Sequence, residues 1–587
     1  MTAADLRPSR APRARSAADQ NQAAPADPLP RLQFTQIAFA GHNRSGDLGD
    51  PARVSTGLDN AFAMLAGAGV RDARLVTGLA AGADLLAARA WAAAGLGPVH
   101  AVFPFLDDPV EGWAAELMAS GTWLDGRATE TLGRNPYLAQ TRWLIGAADL
   151  LVVVWAGKHA RGAGGTADAV RLALEHGLPV LWIKPGDRHP PRLIRPEHLH
   201  EDFGFLEFLD ELRLGREPLV SVATPQLLHQ TLADLGLRAE PPAGVDVHGA
   251  GRASRKRHLD GTWRAYAVFR RTLGGRAPPF EALPPPADLA AEPGFVRLTE
   301  AQAIADEEAS RLGSVHRSQQ VILLGVAILA AMAGSAGAVW PQTKLLMVSV
   351  VIFLGFGAYL VWRSADRAGR HERWGASRRL AEDLRMERVA WALGVSTVPH
   401  GANMLSSSPP ARQVRREAGL PGGPFARDRV KAWGAWAVDD LIAGQAAYHR
   451  GQSHINGHVS HKVHQVESSS VGILMVLMVT YVAATLGLAL WGHHTPHWLS
   501  VSVEVAATIV PAIGAACLAL EATLALGEQA ERSRVLAVRL EAIVADLGDA
   551  SSLEAHQEAA RAAIRLQRAQ ENHWSEGTGR RRLLRGS

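Results

Sequence analysis

Two periodicities divide this chain. From Leu32 to Gly186, short apolar runs alternate with Ala/Leu-rich stretches of helical period: FTQIAFAG, DARLVTG, GPVHAVFPF, DLLVVVWAG and LPVLWIKPG read as five strands, with helices such as Asp84–Ala94 and Thr166–His176 between them. Strand–helix alternation at this spacing predicts a parallel sheet with right-handed crossovers. Further on, the apolar runs lengthen and lose their charges. Residues 321–340, 345–362, 471–491 and 501–526 are each close to the roughly 20 helical residues that cross a hydrocarbon core. A four-residue connection, Pro341–Lys344, separates the first two, which predicts an antiparallel hairpin, and the last two repeat the plan. The pattern therefore predicts an α/β Rossmann-like parallel sheet domain followed by an α-helical membrane domain with four transmembrane helices in two hairpins.

Between these halves the signal is weaker. FLEFLDELRL and TPQLLHQTLADLGL read as helices beside the sheet, and Pro/Gly-rich stretches mark linkers. The basic segment RASRKRHLDGTWRAYAVFRRTLGG is a helix suited either to an anionic membrane surface or to the bases of the hairpins. Residues 1–30 lack a secretory apolar core and are expected to be a disordered tail, and residues 576–587 a basic one.

Charge adds an orientation. The formal net charge of +4 conceals arginines clustered beside the spans: Arg311 and Arg317 before the first, then Arg363, Arg367, Arg370, Arg373, Arg378 and Arg379 after the second, and Arg532, Arg534 and Arg539 after the fourth. The 341–344 turn has only Lys344, and GHHTPHWLS between the last two spans has no lysine or arginine. The positive-inside bias thus predicts cytosolic N- and C-termini. Arginine collars suit lipid headgroups, so membrane lipid is an expected partner and nucleic acid is not. The single cysteine, Cys517, excludes a disulfide framework and a cysteine-ligated zinc. His454, His458 and His461 recur at helical spacing; without an acidic or cysteine partner they are expected to form a polar helix face, and no metal site is assigned. Glu521 and Glu504, inside the fourth apolar run, are candidate pore-lining or pairing residues, because an ionisable group in a span seldom faces lipid.

Ligands collect at the carboxyl ends of parallel strands, and three glycine loops lie there. Gly41-His42-Asn43-Arg44 ends the first strand, with Arg44 able to fork a phosphate. Gly78, Ala80, Gly82, Ala83 and Asp84 belong to a turn that opens directly into a helix, where backbone N–H groups favour an anion. Gly157 follows the fourth strand, and Gly164-Gly165-Thr166 starts another helix. His42, Asp47 and Asp84 are the acid/base candidates; the simpler reading makes Asp84 a helix cap and His42 a pocket wall.

These loops carry a resemblance. TGLAAGADLLAARAWAAAG is similar to the Gly-x-Ala-x-Gly-x-Asp turn of the DNA-processing protein A family. WAGKHARGAGGTADAVRLALEHGLPVLWI resembles the Gly-Gly-Thr helix of that family and of the lysine-decarboxylase-like phosphoribohydrolases. Together they resemble the SLOG superfamily of Rossmann-like nucleotide-binding domains. The resemblance implies a nucleotide or nucleotide-derived ligand, with no cofactor required, over residues 31–190. The glutamate that assists cleavage in the phosphoribohydrolases falls at Ala169, with Asp168 turned about 100° away, so binding without turnover is expected and no catalytic residue is assigned. A polar helix, two spans and an Arg-rich helix, together with DDLIAGQAAYHR, resemble the SLATT modules fused to SLOG sensors in bacterial conflict systems. The implied organisation is a 191–298 helical linker, a first module at 299–395, a linker at 396–427 and a second module at 428–575. The implied setting is the bacterial cytoplasmic membrane, with a homo-oligomeric, pore-forming effector in antiviral defence. A membrane-tethered nucleotide hydrolase and a transporter or scaffold with structural glycine loops stay open as alternatives.

Overall fold

Strands that are apolar on both faces need layers on both sides, and this chain supplies them. The computed structural model describes residues 29–42, 48–110, 112–160, 162–187, 189–196, 204–216, 220–237, 264–274, 282–367, 370–397 and 408–583. Nearly all of the expected N-terminal tail, the last four residues of the expected basic tail, Asn43, Arg44 and Asp47 lie outside them.

The sheet domain runs β1 (Thr35–Gly41), α1 (Pro51–Gly67), β2 (Ala73–Thr77), α2 (Ala83–Ala94), β3 (Val99–Phe103), β4 (Met118–Leu124), α3 (Pro136–Ala147), β5 (Leu150–Val154), α4 (Thr166–Glu175), β6 (Val180–Ile183), β7 (Arg192–Ile194) and β8 (Val220–Val222). Helix starts follow local chemistry: Asp50 and Asn135 accept the N–H of Ala52 and Tyr137, each before a proline at the first helical position. The strand order is β8-β7-β6-β5-β1-β2-β3-β4-β9, where β9 is Gly423–Phe425. The chain winds outward from β1 through β4, then returns to β5 on the other side of β1, so a topological switch point lies between β1 and β5. All five expected strands form, in parallel. The sheet is nonetheless mixed rather than purely parallel, because β7 and β8 pair antiparallel; the short link from Ile183 to Arg192 cannot hold a crossover helix.

The helical half comprises α5 (Ala265–Gly274), α6 (Pro293–Val339), α7 (Lys344–Arg367), α8 (Arg370–Leu393), α9 (Pro409–Ala418), α10 (Arg427–Val438), α11 (Gly444–Leu490), α12 (His497–Leu524), α13 (Leu526–Leu547) and α14 (Leu553–Leu583). Four of these helices carry stretches long and apolar enough to cross a membrane. The plan occurs twice. α6 and α11 each have 47 residues, about 70 Å of helix, so each runs from a polar stem into an apolar span without a break. α7 and α12 return, and α8 and α13 pack back along the stems. Large apolar side chains such as Ile352, Phe353, Val476 and Val479 are exposed along the spans. Exposed Trp340, Trp491 and Trp498 sit at the hairpin turns, and exposed Tyr359 and Trp362 at the opposite end of α7, which is the placement of interfacial aromatics.

Residues 396–427 are not simply a linker. Their described part forms α9 and β9, and β9 adds a parallel edge strand to β4 through Thr122–Gly423, Trp123–Pro424 and Leu124–Phe425. One face of the sheet packs α1 and α2 around Leu58, Phe62 and Trp91. The other face is covered by α3, α4 and the stem helices in one continuous core that includes Trp143, Trp155, Trp391, Trp433 and Trp436. The sheet and the stem are thus one packed body. Buried Asp149, just before β5, reinforces the join: both of its oxygens lie 2.9 Å from Nε of Arg416, and Nη2 of Arg412 donates to it at 3.3 Å.

Candidate functional site

At the carboxyl ends of β1, β2, β3 and β5 lies a cavity of about 680 Å³. Gly41, His42, Gly78, Ala80, Asp84, Gly164, Gly165 and Thr166 line it, whereas Gly82, Ala83 and Gly157 do not. Three loops that are far apart in sequence are brought together because β1 sits between β2 and β5.

His42 braces the site. Its Nε2 accepts the Ala156 N–H at 3.1 Å, which leaves the proton of a neutral ring on Nδ1, and its carbonyl accepts the Ala83 N–H at 3.2 Å. The end of β1 is thereby tied to both neighbouring loops. A Cβ on Gly41 would overlap the Ala83 side chain, so glycine is what lets α2 approach the strand.

Asp84 does not cap α2 in the expected way. The N-cap residue is Gly82, with φ 105° and no side-chain bond, and Asp84 lies in the first turn behind it. Its carboxylate accepts from the Thr77 hydroxyl and from the backbone N–H groups of Ala80, Gly78 and Gly41, closing the turn on itself. Burial outweighs those bonds and pushes its pKa up to about 7. Asp84 thereby ties the first turn of α2 to the ends of β1 and β2.

The start of α4 is built in a similar way, with Asp168 in its first turn. Gly165 is the N-cap and offers no side-chain acceptor. Gly164, at φ +81°, packs so closely on the Tyr137–Leu138 backbone that a Cβ would overlap it. Its N–H goes to Asp168 Oδ2 at 2.9 Å and its carbonyl accepts the Thr141 hydroxyl at 3.1 Å. Asp168 is thus directed to the loop and to Arg171, away from the cavity, as the helical offset predicts. The expected glutamate position, Ala169, is a buried methyl on the cavity side. With Asp168 taken up by Gly164 and Arg171, the start of α4 borders the cavity through Gly165, Thr166 and Ala167, and Lys158 and His159 also line it.

The wall that the sequence reading omitted is α3. Tyr137, Gln140, Thr141 and Leu144 line the cavity, and Phe105 meets Tyr137 edge-on at 5.9 Å. Gln140 donates to the Val102 carbonyl at 2.6 Å and fixes α3 to the end of β3. Only the Asn135-Pro136 start signal marks this helix in the sequence. Its role in a site comes from the crossover that lays it over β1.

In the helical half, Oε1 of Glu521 accepts the Gly527 N–H at 2.8 Å and the Ser460 hydroxyl at 3.2 Å. It pairs within its own chain where α12 breaks at Ala525 (φ 48°) into α13. Glu504 is exposed on α12. His454 and His458 stack at 6.4 Å on an exposed helix face, and no group of three or more ligands able to hold a metal exists among the described residues. Comparison with protein-family models, with curated proteins and with solved structures finds no match to this chain.

Proposed function

We propose that this protein is a membrane-anchored sensor-effector: a nucleotide-derived, phosphate-bearing ligand enters the cavity, and its binding drives the two helical hairpins toward a pore-forming or membrane-disrupting arrangement, in antiviral defence of a bacterial cell. The reading is supported above all by α3. One side of this helix lines the cavity through Tyr137, Gln140 and Thr141, and the other presses Trp143 onto Gly394, at the end of α8, and onto Phe425 of β9. Arg134, just before it, pairs with Glu554 and Glu558 of α14. A ligand that prefers one setting of α3 biases the stem, whereas one that binds both settings equally shifts nothing.

In this reading the phosphate lies at the uncapped start of α4, the ring against Phe105 and Tyr137, and the cavity shares the cytosol with both termini. The effector in this reading works as a homo-oligomer. The test is dye release from proteoliposomes containing the full chain, with adenine, guanine and NAD-derived mono- and cyclic nucleotides added one at a time. Release with a subset of these compounds supports the reading, and no release with any compound that binds overturns it. A hydrolase reading has one observation in its favour, the near-neutral Asp84 at the cavity floor. Free base or ribose phosphate appearing during the same incubation would promote that reading.

A further inference from the structure

The helix α5 lies away from the cavity, against the bases of the two hairpins. Tyr266, Phe269 and Leu273 on one side pack against a buried cluster of Ile455, Val459, Val463, Leu520, Leu524 and Leu526, on which Val321 and Leu324 also pack. Val321 and Leu324 are the first turns of the apolar run of α6, Leu520 and Leu524 the last turns of α12, and Ile455, Val459 and Val463 the part of the α11 stem that precedes its apolar run, so α5 lies where the stems give way to the spans. The Tyr266 N–H donates to the Ser318 hydroxyl at 3.2 Å, and the Arg317 guanidinium sits between the Tyr266 and Trp374 rings at 5.2 and 5.5 Å. α5 is therefore anchored to the base of the first hairpin. The far end of α7 marks the same level independently. Counting back along the antiparallel hairpin from its turn, Tyr359, Trp362 and Arg363 fall opposite Val321, and both aromatics are exposed.

The outward side of α5 has an unusual composition. Arg264 and Arg271 are exposed, Arg270 is half-exposed, and Arg264–Gly274 contains no acidic residue. Between Arg264 and Arg271, at the i, i+4, i+7 positions of one face, lies Val268, 57% exposed. An apolar side chain flanked by guanidinium groups at a membrane boundary fits the headgroup region: valine enters the edge of the acyl layer while the arginines reach phosphate oxygens. We propose that this face of α5 is a binding surface for anionic lipid headgroups, holding the segment between the sheet and the stem down on the bilayer. The surface owes nothing to the cavity and stands whether or not a nucleotide binds there.

The experiment uses the full chain in phosphatidylcholine nanodiscs. A fluorophore is placed at Val268→Cys in a Cys517→Ala background, which removes the only other thiol. Brominated phosphatidylglycerol or brominated phosphatidylcholine is then added at equal small mole fraction. Attraction of each surface arginine for anionic lipid is worth on the order of fivefold in local lipid concentration. Quenching by the anionic lipid should exceed that by the zwitterionic lipid several-fold, and Arg264→Gln with Arg271→Gln should bring the two together. These side chains are exposed, so the variant should keep the elution profile and helix content of the parent. Equal quenching by both lipids in the parent overturns the proposal, as apolar contact alone would explain it. Absence of quenching by either lipid also overturns it, because another protein surface or bulk water then covers α5.

Discussion

Gly394, at φ +63° after α8, lies flat against the indole of Trp143, so that a Cβ there would overlap the ring. This contact joins the helix that walls the cavity to the stem of the first hairpin, and it exists only because residue 394 has no side chain. Gly394→Ala should cost about 2–4 kcal/mol, combining left-handed strain with overpacking. Gly355→Ala in α7, where nothing lies within 4 Å, should be neutral or mildly stabilising. Thermal unfolding of the two variants in the same detergent separates them; similar midpoints would remove Gly394 from any role at the junction.

Asp149→Ala should be among the most damaging single changes. It leaves Arg412 and Arg416 buried without their carboxylate and deprives the Gln36 N–H of its acceptor at 2.9 Å. Breaking a buried pair in this way costs about 3–5 kcal/mol. The expected result is loss of a monodisperse peak on size exclusion, or a much lower unfolding midpoint, with little relief from added salt.

The pH dependence follows from Asp84. Its folded pKa of about 7 lies above the ordinary 3.8, so the folded state holds this proton more tightly than the unfolded chain. The associated stability is fully present below pH 3.8 and is lost as the pH rises through 7. Asp84→Asn should flatten the slope of stability against pH between about 4 and 7, read as unfolding midpoints at successive pH values. An unchanged slope would place the ionisation elsewhere.

Gly165→Asp tests the anion site without breaking the fold. The position has extended backbone, φ −73° and ψ 173°, and a Cβ there meets nothing closer than the Gly162 carbonyl at 3.3 Å. Aspartate is a favoured N-cap, so stability should hold or rise by up to about 1 kcal/mol. Its carboxylate would occupy the N–H groups offered to phosphate. Affinity for a phosphate-bearing ligand should fall at least about tenfold, measured by calorimetry.

Glu521 is expected to act as a brace. Glu521→Ala should cost about 1–3 kcal/mol by freeing the Gly527 N–H, and Glu521→Gln, which keeps an acceptor oxygen, clearly less. If instead both changes alter ion conduction alike and leave unfolding untouched, a pore-lining role is the better description.

How much of this was legible beforehand divides along a physical line. Hydrophobic period, runs without charge and glycine at strand ends are local properties, and from them the sequence by itself determined five strands of the sheet, four apolar helices and the three loops that meet at one edge. It also determined that Asp168 turns away from the cavity, since helical offset is local too. Tertiary structure decided the rest. Nothing near Pro409–Phe425 announces that its helix buries arginines against Asp149 or that its strand extends the sheet, since the partners stand hundreds of residues away: Gln36 donates to the Arg416 carbonyl across 380 positions. The same holds for α3 as a cavity wall, for His42 as a brace and for Glu521 as the partner of Gly527 and Ser460. Each depends on which surfaces the crossovers and hairpins bring face to face, and a contact of that kind carries no periodicity of its own.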